Sequence, residues 1–276
     1  MKCLAFSYDN KIEYDSQVNQ HYFSVKALPG DLARQIVKEL KIEVDPIEDS
    51  SMSQDGFGNK ILIGHTFAPH QHFHVLVEGT VLVSDERERW KENENLSLFR
   101  GPTYLTAMSK EMKQYEKQYF SPEQIKSGLA DYMPFDAFGI ADFMMKQLYQ
   151  DFTYEKGVTK VNTSASQAFS FQKGVCQDYA HILLAFLRDR GYPCRYVSGL
   201  MIGEGETHAW IEVFNEADRL WYGLDPTNNL WIDENYIVLA RGRDYRDCVV
   251  HKGRFLGAAG QTQSIKVKVE EIEWSK

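Results

Sequence analysis

The chain has 276 residues, of which 43% are hydrophobic and 25% charged, with a formal net charge of −8. That length suits one large domain or two small ones with a sizeable core. The acidic balance offers no basic footprint for nucleic acid or anionic lipid, and no apolar run approaches the roughly 20 residues of a membrane span.

The first residues, Met1 to Asp9, turn polar too soon for a signal peptide, so a cytoplasmic protein is expected. Four cysteines (Cys3, Cys176, Cys194 and Cys248) lie far apart with no CxxC pair. That spacing fits neither a disulfide framework nor a zinc finger.

The first third reads as β-rich. His21 to Leu28 puts Phe23, Val25 and Ala27 on one face of a strand. Pro29-Gly30-Asp31 breaks it, and Asp31 as an N-cap predicts a short helix carrying Leu32, Ile36, Val37 and Leu40. Asp55 to Lys60 reads as a turn, followed by strands at 61–63 and 75–83. Between these lie His65, His70, His72 and His74. On a strand the last three would project the same way, as a solvated face or as zinc or copper ligands. No carboxylate or cysteine stands beside them in sequence to complete a site, so we read a solvated face.

A charged block, Asp85 to Asn95, marks a boundary between a β-rich domain over 1–90 and a second domain over 91–276. In the second domain, Ser121-Pro122-Glu123 opens a helix. Apolar residues recur at helical spacing from Asp136 to Phe152, and Ser164 to Phe171 reads as a further helical piece. Cys176 then opens an apolar helix that ends before Gly191-Tyr192-Pro193. Strands follow at 195–202, as a hairpin over 208–214 and 220–224, and finally at 263–270.

Cys176, His208 and Asp225 form a candidate catalytic set. A thiol attacks as thiolate, and the unpaired N–H groups and partial positive charge of a helix N-terminus favour the anion. Gly174 would let a substrate backbone approach closely. His208 can accept the thiol proton and return it to a leaving amine. Strand alternation puts His208, Trp210 and Glu212 opposite a core face of Ala209, Ile211 and Val213. Asp225, a cross-strand neighbour of His208 in the hairpin, could fix the imidazole tautomer. Each residue also has a plain reading, as a packing cysteine, a structural histidine and a turn aspartate.

Several blocks agree in order with one family. Gly174 to His181, Gly191 to Gly199, His208 to Val213, Asp225 to Asn229 and Gly242 to Asp247 resemble the transglutaminase-like superfamily, in particular its bacterial members with an extra N-terminal β domain. The resemblance implies an α+β fold: a papain-like core, with the cysteine helix packed on an antiparallel sheet, behind an N-terminal β-rich domain. It assigns Cys176 as nucleophile, His208 as base and Asp225 as the orienting carboxylate. Gln177, Asp178, Tyr179 and Trp210 fall at supporting or substrate positions. Gln177 stands where protein-crosslinking relatives carry Trp, and no Trp occurs between Trp90 and Trp210. Hydrolysis of a peptide or side-chain amide is therefore expected ahead of crosslinking, with a peptide or protein substrate and no cofactor. The alternatives are a silent peptide-binding module and an acyltransferase using a small thioester donor.

Overall fold

The computed structural model describes residues 1–92, 95–129 and 133–273; Asn93 and Glu94 of the charged block lie outside the described residues. Five strands come first: β1 (Lys2–Val25), β2 (Gln35–Asp45), β3 (Asp49–Gln54), β4 (Lys60–Thr66) and β5 (His70–Val83). A helical stretch follows with α1 (Lys110–Tyr119), α2 (Pro122–Gly128), α3 (Ala137–Asp151), the short β6 (Thr153–Tyr154), α4 (Ala165–Phe171), β7 (Lys173–Gly174) and α5 (Cys176–Asp189). The remainder is β8 (Cys194–Met201), β9 (Gly203–Gly205), β10 (His208–Asn215), β11 (Leu220–Asp225), β12 (Leu230–Trp231), β13 (Tyr236–Gly242), β14 (His251–Leu256) and β15 (Gln261–Ile272). The architecture is α+β, as expected.

β1 is the spine of the larger sheet. Its first half lies between β5 and β15, and its second half between β4 and β14. Leu4, Phe6 and Tyr8 alternate inward along it, as strand periodicity requires. The C-terminal strands β14 and β15 therefore complete the sheet begun by the N-terminus, although the expected division placed them with the second domain.

The helix expected after Asp31 is a strand. β2 pairs antiparallel with β5, and its register shifts between Val37 and Glu39. That bulge resets the alternation, so Val37, Leu40, Ile42 and Val44 all pack inward. One inserted residue turned a period of two into a local spacing of three, which mimics a helix. Asp31 does cap a backbone group, accepting from Val37 N–H at 2.8 Å.

The histidines also divide differently from the expectation. A register shift in the β1–β5 pair between Glu13 and Val18 turns His70 inward, where its Nε2 lies 3.3 Å from His21 Nδ1. His72 and His74 instead each meet a carboxylate distant in sequence, Asp45 at 2.8 Å and Asp9 at 2.7 Å. Among the described residues no group of three or more His, Cys, Asp or Glu could hold a metal ion.

The smaller sheet runs β12-β11-β10-β8-β13. Its strands carry few polar residues because both faces are covered. On one face Ala209, Ile211 and Val213 pack against Leu183, Leu187 and neighbours of α5. On the other, Val197, Trp210 and Val238 cluster with Leu32 of the N-terminal half, while toward the β13 edge Leu200, Ile237 and Leu239 join that half's core. The alternation read along 208–213 is thus correct, but its second face is buried too: Trp210 is fully enclosed, and Glu212 sits between Arg195 Nε and Arg241 Nη2, the latter at 3.0 Å.

Candidate active site

α5 begins in a closed N-terminal turn. Asp178, three residues into it, accepts from Val175 N–H at 2.8 Å and from the Thr159 hydroxyl at 2.6 Å. This satisfies one donor that a helix start would leave orphaned. Burial raises the Asp178 pKa against the pull of those two hydrogen bonds. Gly174 is needed here for a reason other than substrate approach: a Cβ on it would lie 2.5 Å from Asp178 Oδ2. The turn leaves Cys176 as the first residue of the helix, half-buried, whereas Cys3, Cys194 and Cys248 are buried.

His208 opens β10, opposite Gly199 of β8. The hairpin register sets Ile211 against Leu224, so the residue directly across from Asp225 is Trp210, with His208 on the diagonal. The imidazole still reaches the carboxylate: His208 Nε2 and Asp225 Oδ2 are 2.7 Å apart. With Nε2 so engaged, Nδ1 is the nitrogen left for Cys176. Gly199 makes this packing feasible, because a Cβ there would lie 2.1 Å from the Trp210 ring. Trp210 and Tyr236 flank the imidazole with ring centroids 6.3 Å from it.

Asp225 is wholly buried and accepts five hydrogen bonds. Oδ2 receives His208 at 2.7 Å, Asn228 Nδ2 at 2.7 Å and the Tyr236 hydroxyl at 3.0 Å. Oδ1 receives the backbone N–H groups of Thr227 at 3.0 Å and Asn228 at 3.3 Å. Burial opposes ionisation, but the hydrogen bonds and the His208 charge outweigh it and hold the carboxyl below its usual range. For His208 burial again works against charge, and hydrogen bonds and charge from Asp225 and Cys176 overcome it, so its pKa is raised. The three residues singled out from the sequence therefore converge on one constellation.

The supporting residues separate. Gln177 is turned away, its amide donating to Val161 O at 3.1 Å. Tyr179 is a core residue packed edge-on to Phe152. Asp178 shapes the cysteine turn, and Trp210 packs beside His208. Sequence reading missed Tyr236, Asn228 and Thr159. Asn228 follows the Asp225-Pro226-Thr227 turn closely enough for its side-chain contact to be local; Tyr236 and Thr159 carry no sequence signal because their contacts are tertiary. His181, read as structural, is buried in α5, and its Nε2 accepts from Tyr245 N–H at 3.2 Å.

Cys176 and His208 open onto a cleft of about 420 Å³. Tyr154, Val175, Gly203 to Thr207 and Val267 are among its lining residues. Tyr154 is held by its parallel pairing with Gly174, two residues before the cysteine.

Two family models match the chain: the bacterial transglutaminase-like N-terminal region over residues 4–82 and the transglutaminase-like superfamily core over residues 129–226. An uncharacterized protein of Mycobacterium tuberculosis is 29% identical over 263 residues, covering 85% of this chain and 81% of the relative. Another, of Mycobacterium leprae, is 26% identical over 280 residues, covering 94% and 95%. A crystal structure of a protein from Cytophaga hutchinsonii, named a "putative cysteine protease", superposes with a TM-score of 0.76 at 18% identity. The match covers 100% of this chain and 92% of that one, which shows a shared fold.

Proposed function

We propose that this chain, which belongs to the transglutaminase-like superfamily, is a thiol-dependent hydrolase of peptide or side-chain amide bonds. The observation that carries the proposal is His208, bound through Nε2 to the buried Asp225 and hydrogen-bonded to Cys176 at the start of α5. Cys176 is the nucleophile, His208 the acid and base, and Asp225 the group that fixes the imidazole and stabilises its charge.

In the first half-reaction the Cys176 thiolate adds to the amide carbonyl. The helix-start N–H groups and the Tyr154 hydroxyl are the donors available to the oxyanion. Burial and the nearness of Cys176 keep that phenol protonated. Collapse breaks the C–N bond, His208 gives its proton to the departing amine, and a thioester remains. A water molecule then adds to the thioester while His208 takes one of its protons. The acid leaves, and thiolate and imidazolium are restored. Each step uses protein groups and water only.

The test is acyl-enzyme capture with p-nitrophenyl acetate, read by intact and peptide mass spectrometry. Acetyl on Cys176, absent from Cys176→Ser and discharged by water, is expected. A protein that releases nitrophenol no faster than Cys176→Ser and carries no acetyl on Cys176 would overturn the proposal. With glutamine-containing peptides, ammonia release without amine incorporation identifies hydrolysis, and incorporation of an added amine identifies transfer.

A further inference from the structure

The two sheets end in edges that are treated differently. β13, at the end of the smaller sheet, is covered by side chains from the N-terminal half. Gln35 accepts from Val238 N–H at 2.9 Å and donates to Val238 O at 2.9 Å. Asn59 accepts from Arg241 N–H at 2.7 Å and donates to Arg241 O at 2.8 Å. Two amide side chains thus stand in for a neighbouring strand and remove an edge open to pairing.

β9 ends the larger sheet and has no such cover. It pairs with β15 on one side, Gly205 with Val267 and Gly203 with Val269, and all three of its residues are exposed. Among the described residues no strand or amide side chain takes its other side. β9 itself lines the cleft together with Cys176, His208 and Tyr154. The glycines add a second observation. A Cβ on Gly205 would meet nothing within 4 Å, and its φ is not in the left-handed region, so neither packing nor backbone geometry calls for glycine there. A glycine in a strand with open space before it suits the close approach of another backbone.

We infer that β9 is the substrate-docking strand: an extended peptide adds to its open edge and so lays one of its carbonyls beside Cys176. The proposal rests on the thiol hydrolase reading and specifies how the substrate is held. Main-chain hydrogen bonds to β9 supply the binding, and the lining side chains read alternate residues of the peptide. At ~3.3 Å per residue, a strand of three residues matches a peptide of about three. Within the cleft lining Lys156 pairs with Glu206 at 3.2 Å, and both side chains are exposed. A pair of that kind is weak, so an entering chain displaces it cheaply.

The test compares two chloromethyl ketones on the intact protein: acetyl-Ala-Ala-Ala chloromethyl ketone, and chloroacetone, which carries the same electrophile without a peptide. Cys176 alkylation is read by peptide mass spectrometry. The peptide reagent is expected to react about tenfold faster, as a few backbone hydrogen bonds would supply. The advantage should shrink severalfold when the peptide nitrogens are methylated, and again in Gly205→Val, whose side chain crowds the close approach of a second backbone. No peptide advantage, or one untouched by N-methylation, would overturn β9 as the docking strand. Failure of chloroacetone to single out Cys176 would sink the thiol chemistry itself, and the docking proposal with it.

Discussion

Asp225 accepts five hydrogen bonds in a site without solvent, and against burial its hydrogen bond and charge, with those of Cys176, hold the His208 pKa above the ordinary imidazole value. The pair's contribution to stability has a definite sign. His208 is held above the ordinary imidazole value, so its share is lost as pH rises through the folded-state value. Asp225 is held below the ordinary carboxyl value, so its share is lost as pH falls through its own. Replacing Asp225 by Asn removes the charge that holds the imidazolium. Iodoacetamide alkylation of Cys176 near neutral pH should then slow by roughly 100-fold, the lower end of what loss of a general base costs. An unchanged rate would contradict the role given to Asp225. Tyr236→Phe removes one of the three donors to Oδ2 and should cost about 1 kcal/mol of stability in urea denaturation, with a severalfold slower alkylation. Cys176, His208 and Asp225 were legible in the sequence because each sits at an element boundary and their blocks fall in the order of a known family; on local pattern alone each also had a plain reading. Tyr236 was not, because nothing near it in the chain indicates a carboxylate eleven residues earlier.

The start of α5 depends on a fit between Gly174 and Asp178. Gly174→Ala pushes a methyl to 2.5 Å from the Asp178 carboxylate; overpacking of this kind costs about 1–3 kcal/mol, and it should also slow alkylation by displacing Cys176. Asp178→Ala opens the turn without a clash and should cost about 1 kcal/mol, the usual worth of a helix-start hydrogen bond. Thermal melts and alkylation rates of both variants check this; two variants with wild-type melting would show that the turn holds itself. The helices were legible from their 3.6-residue spacing and caps, such as Ser121 and Ser164, whose hydroxyls accept from the N–H groups of Gln124 and Gln167. β2 was misread because a bulge breaks period two, and no local signal separates that from a short helix. His70 was misplaced for the same reason, by an irregularity on the partner strand.

At the scale of the molecule, the helices and the N-terminal β layers enclose one sheet from both sides, and β15 returns to pair with β1 along twelve residues, Cys3 to Tyr14. This closure was not legible in a charged block at 85–95, because strand pairing across the whole chain leaves no compositional mark. Enclosure also traps imidazoles. Burial, with the neighbouring His70 and His251, lowers His21 to about 4. Burial alone lowers His251 to about 4, and burial with nearby arginines lowers His181 to about 3. An unfolded imidazole titrates near 6.5, so between about 6.5 and 4 the unfolded chain binds more protons than the folded one and stability falls with pH. Urea midpoints should drop steadily across that window, and His181→Gln should flatten the fall. A midpoint constant from pH 7 to 5 would contradict three neutral buried histidines.

The central claim is an activated thiol at Cys176, and the rate of iodoacetamide alkylation against pH, resolved cysteine by cysteine, tests it most directly. The three other thiols serve as internal controls: burial pushes Cys194 up to about 12 and raises Cys3 and Cys248 as well. The account predicts that Cys176 alone reacts fast at about pH 6–7, where an ordinary thiol is mostly protonated, and that His208→Ala abolishes the difference. Alkylation of Cys176 at the rate of the buried thiols, or a fast rate that survives His208→Ala, would contradict it.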